Sequence, residues 1–147
     1  MQGSPNAARY RILVVEDEPM VLELITTRLG LAGYQTFYGR DGYEALARIN
    51  DVRPNAMILD INMPRLDGFD VLRHMKVSGQ LARVPVMVLT ARNQADDVQT
   101  AIKLGARDFL AKPFNDDQLL ARVARLIRRP AARPAPPPPP GPSVIGL

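Results

Sequence analysis

The chain contains no cysteine. Disulfide frameworks, thiolate zinc sites, iron–sulfur clusters and cysteine nucleophiles are therefore excluded. A single histidine, His74, rules out a multi-histidine metal centre and argues against a histidine-based catalytic triad. No apolar run approaches the roughly 20 residues needed to span a bilayer. The segment Met1 to Tyr10 has no apolar stretch of the kind a secretory signal needs. A cytoplasmic location is the expectation. No glycine-rich phosphate loop is present, so a bound nucleotide is not indicated. What remains is 147 residues, 46% hydrophobic and 23% charged, which is one ordinary globular domain able to bury a real core.

The net charge of +4 is unevenly placed. Residues 1 to 120 hold 14 basic and 15 acidic side chains, whereas residues 121 to 147 hold five arginines and no acid. The body is near neutral and the C-terminal end is basic. A nucleic-acid binder more often carries a basic face through its fold, so direct nucleic-acid binding is not expected.

Short apolar runs alternate with helical patterns along the chain. Ile12 to Val15, Gln35 to Tyr38, Ala56 to Leu59, Val84 to Leu89 and Phe109 to Ala111 read as strands. Between and after them, apolar residues recur at helical spacing: Val21, Leu22, Ile25 and Leu29; Ala45, Leu46 and Ile49; Phe69, Leu72 and Met75; Val98, Ala101, Ile102 and Leu104; Leu119, Leu120, Val123, Leu126 and Ile127. Pro19 is placed to open the first helix. Gly105 is placed just past the fourth. Asp116 and Asp117 in the first turn of the fifth, and Arg125 and Arg128 in its last, suit the helix dipole. Continuous apolar strands mark a parallel sheet covered by helices on both faces. The expected fold is α/β: a doubly wound five-stranded parallel sheet, order 2-1-3-4-5, flanked by five helices. Residues 1–9 are expected to be disordered and residues 10–128 to form the domain. Residues 129–147 hold eight of the 14 prolines and are expected to be a disordered tail or linker.

The informative residues are those that close the apolar runs. Strand 1 ends in Glu16-Asp17, strand 3 in Asp60, strand 4 in Thr90 and strand 5 in Lys112. In an open parallel sheet these ends share one edge, where the ligand crevice lies. Crowded carboxylates repel, so one stays protonated unless a cation intervenes. Oxygen donors without histidine or cysteine favour a hard cation, Mg²⁺ or Mn²⁺. A lysine and a hydroxyl beside such a cation make a phosphoryl clamp. With no nucleotide site, the protein itself would carry the phosphoryl group, as an aspartyl acyl phosphate. Singly, each residue has an ordinary role as a first-turn acid, cap or turn residue. Chance would rarely end four core strands with one complementary set.

These residues resemble the receiver domain of bacterial two-component response regulators. The matching pieces are Ile-Leu-Val-Val-Glu-Asp-Glu-Pro at 12 to 19 and Asp-Ile-Asn-Met-Pro-Arg-Leu-Asp-Gly at 60 to 68. Leu-Thr-Ala at 89 to 91 and Gly-Ala-Arg-Asp-Phe-Leu-Ala-Lys-Pro-Phe at 105 to 114 complete them. The resemblance spans about Arg9 to Arg129. It implies that Asp60 is the phosphoacceptor for a sensor histidine kinase or phosphotransfer protein. It implies Mg²⁺, with Mn²⁺ as a substitute, bound by Asp17, Asp60 and the backbone carbonyl of Asn62, and by Glu16 through water. Thr90, the backbone N–H of Ala91 and Lys112 would bind the phosphoryl oxygens. Thr90 and Phe109 would form the switch, and Asn62 and Arg92 would modulate dephosphorylation. Lys112-Pro113 resembles the family's cis peptide.

The last third is similar to receivers of the winged-helix (OmpR/PhoB-like) regulators, which dimerise through helix 4, strand 5 and helix 5. Asp108, Arg122 and Arg129 match that charge pattern. Arg107 and Gln118 depart from it, standing where an Asp and a Glu are usual. The expected output is a switched protein-interaction face, read by a downstream target or a second copy. The chain is then a phosphoacceptor switch with self-catalysed phosphotransfer and slow autodephosphorylation, not an enzyme in the turnover sense. The alternative is a receiver fragment of a longer DNA-binding regulator. A haloacid dehalogenase-type aspartyl-phosphate phosphatase is more remote, because Asn62 stands where that family needs a second Asp. A flavodoxin-like FMN carrier would find Glu16-Asp17-Glu18 repelling its phosphate. His74 is expected to be a surface residue, and Phe69 and the methionines to be packing.

Overall fold

The computed structural model describes residues 10–91 and 94–128. Residues 1–9, Arg92, Arg129 and the proline-rich segment lie outside them, so the expectations placed on those residues are not addressed by the structure. In chain order the elements are β1 (Arg11–Val15), α1 (Pro19–Leu31), β2 (Gln35–Gly39), α2 (Gly42–Val52), β3 (Ala56–Asp60) and α3 (Gly68–Val77). After a short 3₁₀ turn at Gln80–Ala82 come β4 (Val86–Ala91), α4 (Ala95–Lys103), β5 (Asp108–Lys112) and α5 (Asp116–Arg128). The five strands are parallel, as the apolar runs imply, and lie in the expected order β2-β1-β3-β4-β5.

Alternate strand residues feed two cores. Leu13, Val15, Met57, Leu59, Val86 and Val88 face α2, α3 and α4, where Ala45, Ile49, Val71, Leu72, Met75 and Ala101 meet them. Ile12, Val14, Ile58, Met87, Leu89 and Leu110 face α1 and α5, with Leu22, Ile25, Leu29, Leu119, Val123 and Leu126. Each fully buried Leu, Ile or Met contributes roughly 1.5–3 kcal/mol. The central strands β1, β3 and β4 are nearly all buried, whereas edge strand β2 exposes Gln35 and Tyr38. That half-wet environment explains why β2 is the weakest strand signal in the sequence.

Local chemistry sets the element ends. Pro19 opens α1, where a missing N–H costs nothing. Asp41 caps α2 by accepting from Glu44 N, and Asp67 and Asp70 form a reciprocal capping box on α3. Gly105, at φ 114°, turns the chain after α4, a conformation that favours glycine. The strands run one or two residues beyond the apolar runs at several ends, taking in Asp60, Ala91 and Lys112. β4 begins at Val86, not at Val84, because Val84 completes the 3₁₀ turn by donating its N–H to Gln80 O. The sequence gives no separate signal for that turn.

Candidate functional site

Parallel pairing puts the C-terminal ends of β1, β3, β4 and β5 on one edge. Asp60 lies opposite Leu89, one residue before Thr90; Ala91 lies opposite Lys112. A cleft of about 450 Å³ opens there, lined by Glu16, Asp17, Glu18, Asp60, Asn62, Ala91 and Lys112. Thr90, 2% exposed, is buried at the end of β4 beside this cleft.

Three carboxylates meet in the cleft. Glu16, Asp17 and Asp60 each place one oxygen within 4.8 Å of the others'. Glu16 and Asp60 are only 1% and 4% exposed, whereas Asp17 is open to solvent. Lys112 Nζ stands 3.0 Å from Glu16 Oε1 and 3.4 Å from Asp60 Oδ1. The other Glu16 oxygen accepts from Glu18 N at 3.1 Å, and Asp60 Oδ1 also accepts from Asn62 N at 3.4 Å. Burial, and then the neighbouring Glu16 carboxylate, push Asp60 up to about 7, against the pull of Lys112 and the Asn62 N–H. For Lys112 burial works to lower the pKa, but the Glu16 and Asp60 carboxylates together override it and raise it above its ordinary value.

The residues present fit a divalent cation. Glu16 Oε1 is buried and its partner is the Lys112 ammonium at 3.0 Å, a cation already held where positive charge is needed. Asp60 is held near the edge of ionisation at neutral pH. All the donors are oxygens, the set that selects a hard ion. Sequence reasoning placed Glu16 as a ligand through water; the structure also makes it the main anchor of the lysine.

The loop from Asp60 to Gly68 is closed by the Gly68 N–H, which donates to Ile61 O at 2.9 Å. A Cβ on Gly68 would lie 2.6 Å from Asp60 O and 2.7 Å from Ile61 Cα, so only glycine lets α3 start this close to the acidic strand end. Gly68 was not singled out from the sequence; its place right after Asp67 in the Asp-Gly pair was the available signal. The Lys112–Pro113 bond is cis.

The structure matches a known family. Residues 12–124 match the model of the response regulator receiver domain. The chain belongs to that family. Response regulator MprA of Mycobacterium avium is 43% identical over 119 residues, 81% of this chain and 51% of the relative. Response regulator MprA of Mycobacterium bovis gives the same identity and coverage. The chain thus spans about half the length of the curated relatives it matches. The chemotaxis protein CheY4 of Vibrio cholerae superposes with a TM-score of 0.75 at 31% identity, covering 80% of this chain and 98% of that one. The signal receiver domain of a signal transduction histidine kinase from Syntrophus aciditrophicus gives a TM-score of 0.74 at 37% identity, covering 81% and 90%. A signalling switch is what this receiver domain is; the phosphatase and flavin-carrier readings gain nothing from these likenesses. No helix among the described residues is long and apolar enough to cross a membrane.

The remaining expected residues form a second group on β5 and α5. Phe109 is half-buried against the α2–α4 core. The Arg122 guanidinium lies 5.4 Å from the centre of its ring and donates to Phe109 O. Arg122 and Arg125 both meet the Asp108 carboxylate at 2.7 Å. Asp108 is therefore saturated by arginines of its own chain. Arg107 also has an interaction partner. His74 is exposed on α3 and Met57, Met75 and Met87 are fully buried, as expected, whereas Met20 in the first turn of α1 is 79% exposed and packs against nothing in the core.

Proposed function

We propose that Asp60 accepts a phosphoryl group from the phosphohistidine of a sensor kinase or phosphotransfer protein. The P–N bond of the donor breaks as a P–O bond forms to a carboxylate oxygen of Asp60, and the imidazole leaves. The observation that carries this reading is the cluster itself: Asp60 is buried, flanked by two further carboxylates and touched by Lys112. Asp17, Asp60 and the Asn62 carbonyl, with Glu16 through water, would hold Mg²⁺, or Mn²⁺ in its place, which when bound neutralises charge on the phosphoryl oxygens. Lys112, the Thr90 hydroxyl and the Ala91 N–H take those oxygens from the protein side. Asn62, lining the cleft, and Arg92 govern access of the hydrolysing water.

The switch follows from charge. A phosphoryl group on Asp60 draws Lys112 away from Glu16 and Thr90 toward the cleft, and the space this leaves admits Phe109. The change is a population shift, and its size is set by how much better the active form binds the phosphoryl group. The face of α4, β5 and α5 is then read by a downstream protein or by a second copy of the chain, with Asp108, Arg122 and Arg129 as its charged contacts. The cytoplasm is the fitting compartment for such a switch. Residues 10–128 are the functional domain, with residues 1–9 and 129–147 as flanking segments. The chain positions a phosphoryl group for transfer and slow self-hydrolysis without turning over an external substrate.

Intact mass after incubation with Mg²⁺ and acetyl phosphate tests this. One phosphoryl adduct that needs Mg²⁺ and is absent from Asp60→Ala is expected. An undiminished adduct in the variant overturns the assignment of Asp60. Size exclusion of the same samples separates a self-dimer from a monomeric switch.

A further inference from the structure

At the opposite edge of the sheet, where β3 and β4 begin, lies a second cleft, of about 460 Å³. Its lining is Ile49, Asn50, Arg53, Pro54, Arg83 and Val84. Ala56 at this edge and Asp60 at the other are the two ends of β3, four residue steps or about 13 Å apart. We propose that this cleft binds a small phosphate- or pyrophosphate-bearing anion, as a site separate from the acidic one.

The polar groups offered to the cleft are donors. Arg53 and Arg83 are exposed, and neither guanidinium has an ion-pair partner among the described residues. No carboxylate is among the lining residues. Asn50 has its polarity set from behind. The Ser78 hydroxyl lies 2.9 Å from Gln80 Oε1 and 3.2 Å from Met75 O and has one proton for the two, while Gln80 Nε2 donates to Asn50 Oδ1 at 3.1 Å. Gln80 is buried, and its side-chain amide holds Asn50 from behind. That contact engages the Asn50 side-chain oxygen and leaves its NH₂ available to donate. Two planar cations and an amide donor, with no carboxylate among the lining residues, are the chemistry of phosphate recognition.

The rim is also built, not loose. Arg53 caps α2 in the left-handed region at φ 52°, an uncommon place for a residue other than glycine. It is held there by the Arg11 side chain, whose Nε and terminal nitrogen donate to Arg53 O at 3.1 and 2.6 Å. Arg11 Nε also donates to Val52 O at 2.9 Å, and Arg11 N donates to Asn55 Oδ1 at 2.7 Å. Ile49, Pro54 and Val84 are buried and give the cleft an apolar wall. A ligand with an anionic head and an apolar flank fits that combination. An anion here leaves the acidic cleft untouched, since the two clefts share no lining residue.

The test is a titration of the ¹⁵N-labelled full chain with inorganic pyrophosphate, in buffer freed of metal. Shifts centred on the amides of Asn50, Arg53 and Val84, with those of Asp17, Asn62 and Ala91 still, are expected. The double variant Arg53→Gly and Arg83→Ala should bind at least about tenfold more weakly, as the loss of even one charge-assisted hydrogen bond implies. Glycine accepts the backbone angle of Arg53, so this variant keeps its fold. Asn50→Asp turns the donor into an acceptor of like charge to the ligand and should weaken binding by a similar factor, while Asp60→Ala should leave it unchanged. Absence of shifts at millimolar pyrophosphate, or shifts that survive the double variant, overturns the proposal. Shifts confined to the acidic cleft overturn it as well. The outcome does not depend on whether Asp60 is the phosphoacceptor.

Discussion

Lys112 Nζ stands 3.0 Å from Glu16 Oε1, so an ammonium from β5 is held chiefly by a buried carboxylate at the end of β1. Asp60, at 3.4 Å, is the second partner of the same ammonium. The relationship explains how two buried acids coexist: one ammonium serves both. It also makes Lys112 a placeholder that must be shared or released when charge arrives at Asp60. Lys112→Met should lower stability by about 2–3 kcal/mol near pH 8, somewhat below the usual cost of breaking a buried pair, because Asp60 can relieve the strain by taking a proton. Urea unfolding near pH 8 and near pH 5.5 measures this, with the smaller loss expected at the lower pH.

The raised pKa of Asp60 makes a signed prediction. Its value in the fold is about 7, against 3.8 for the unperturbed group. The folded state therefore binds the proton more tightly than the unfolded state. That stabilisation is complete below about pH 4 and is lost as pH rises through about 7. Thermal melts of the metal-free protein should show a decline in stability over that window. Asp60→Asn, which has no such proton to lose, should flatten it. Affinity for Mg²⁺ should rise over the same window, because the cation and the proton compete for one carboxylate.

Gly68→Ala tests the close approach of α3 to the acidic strand end. The added methyl would meet Asp60 O at 2.6 Å, and backbone cannot yield as a flexible side chain can. A loss of about 1–3 kcal/mol in denaturant unfolding is expected, typical of a forced overpacking. Phosphorylation should fall with it, because the loop that carries Asn62 shifts. At Gly30, where nothing lies within 4 Å, alanine should instead be neutral or mildly stabilising, since the site is inside α1.

Arg122 has two partners, the Asp108 carboxylate and the Phe109 ring and carbonyl. Arg122→Ala should cost about 1 kcal/mol and release Phe109, the residue assigned to the switch. The Phe109 ring resonances should then move in the unphosphorylated protein toward their phosphorylated positions. If they stay where they are, Arg122 does not restrain the ring. A dimer through this face would also have to exchange internal pairs of Asp108 for external ones, so raising salt should weaken both alike.

The fold was legible because it rests on pattern. Continuous apolar strands, five times alternated with helical spacing, are compatible with few arrangements besides a parallel sheet covered on both faces. The acidic cleft was legible for a related reason. A parallel sheet puts the strand ends on one edge whatever the side chains do, so the end residues of β1, β3 and β5 share that edge, where Glu16, Asp17, Asp60 and Lys112 line one cleft. Residues whose roles depend on contacts between distant segments were not legible. Gly68 looks like any loop glycine until Asp60 O is seen beneath it. Arg53, Arg83 and Asn50 are scattered polar residues until α2 and the 3₁₀ turn set them around one cleft.

The sequence by itself determined the periodicity, the parallel sheet covered on both faces and the identity of the groups at each strand end, because these follow from local patterning. Only the tertiary structure decided how the charges divide their partners. Lys112 anchors on Glu16 before Asp60, Asp108 takes two arginines of its own chain, and Arg11 holds the carbonyl of Arg53. Those choices depend on sub-ångström differences in distance and on burial, which set the strength of each charge pair and are encoded in the packing of both faces at once.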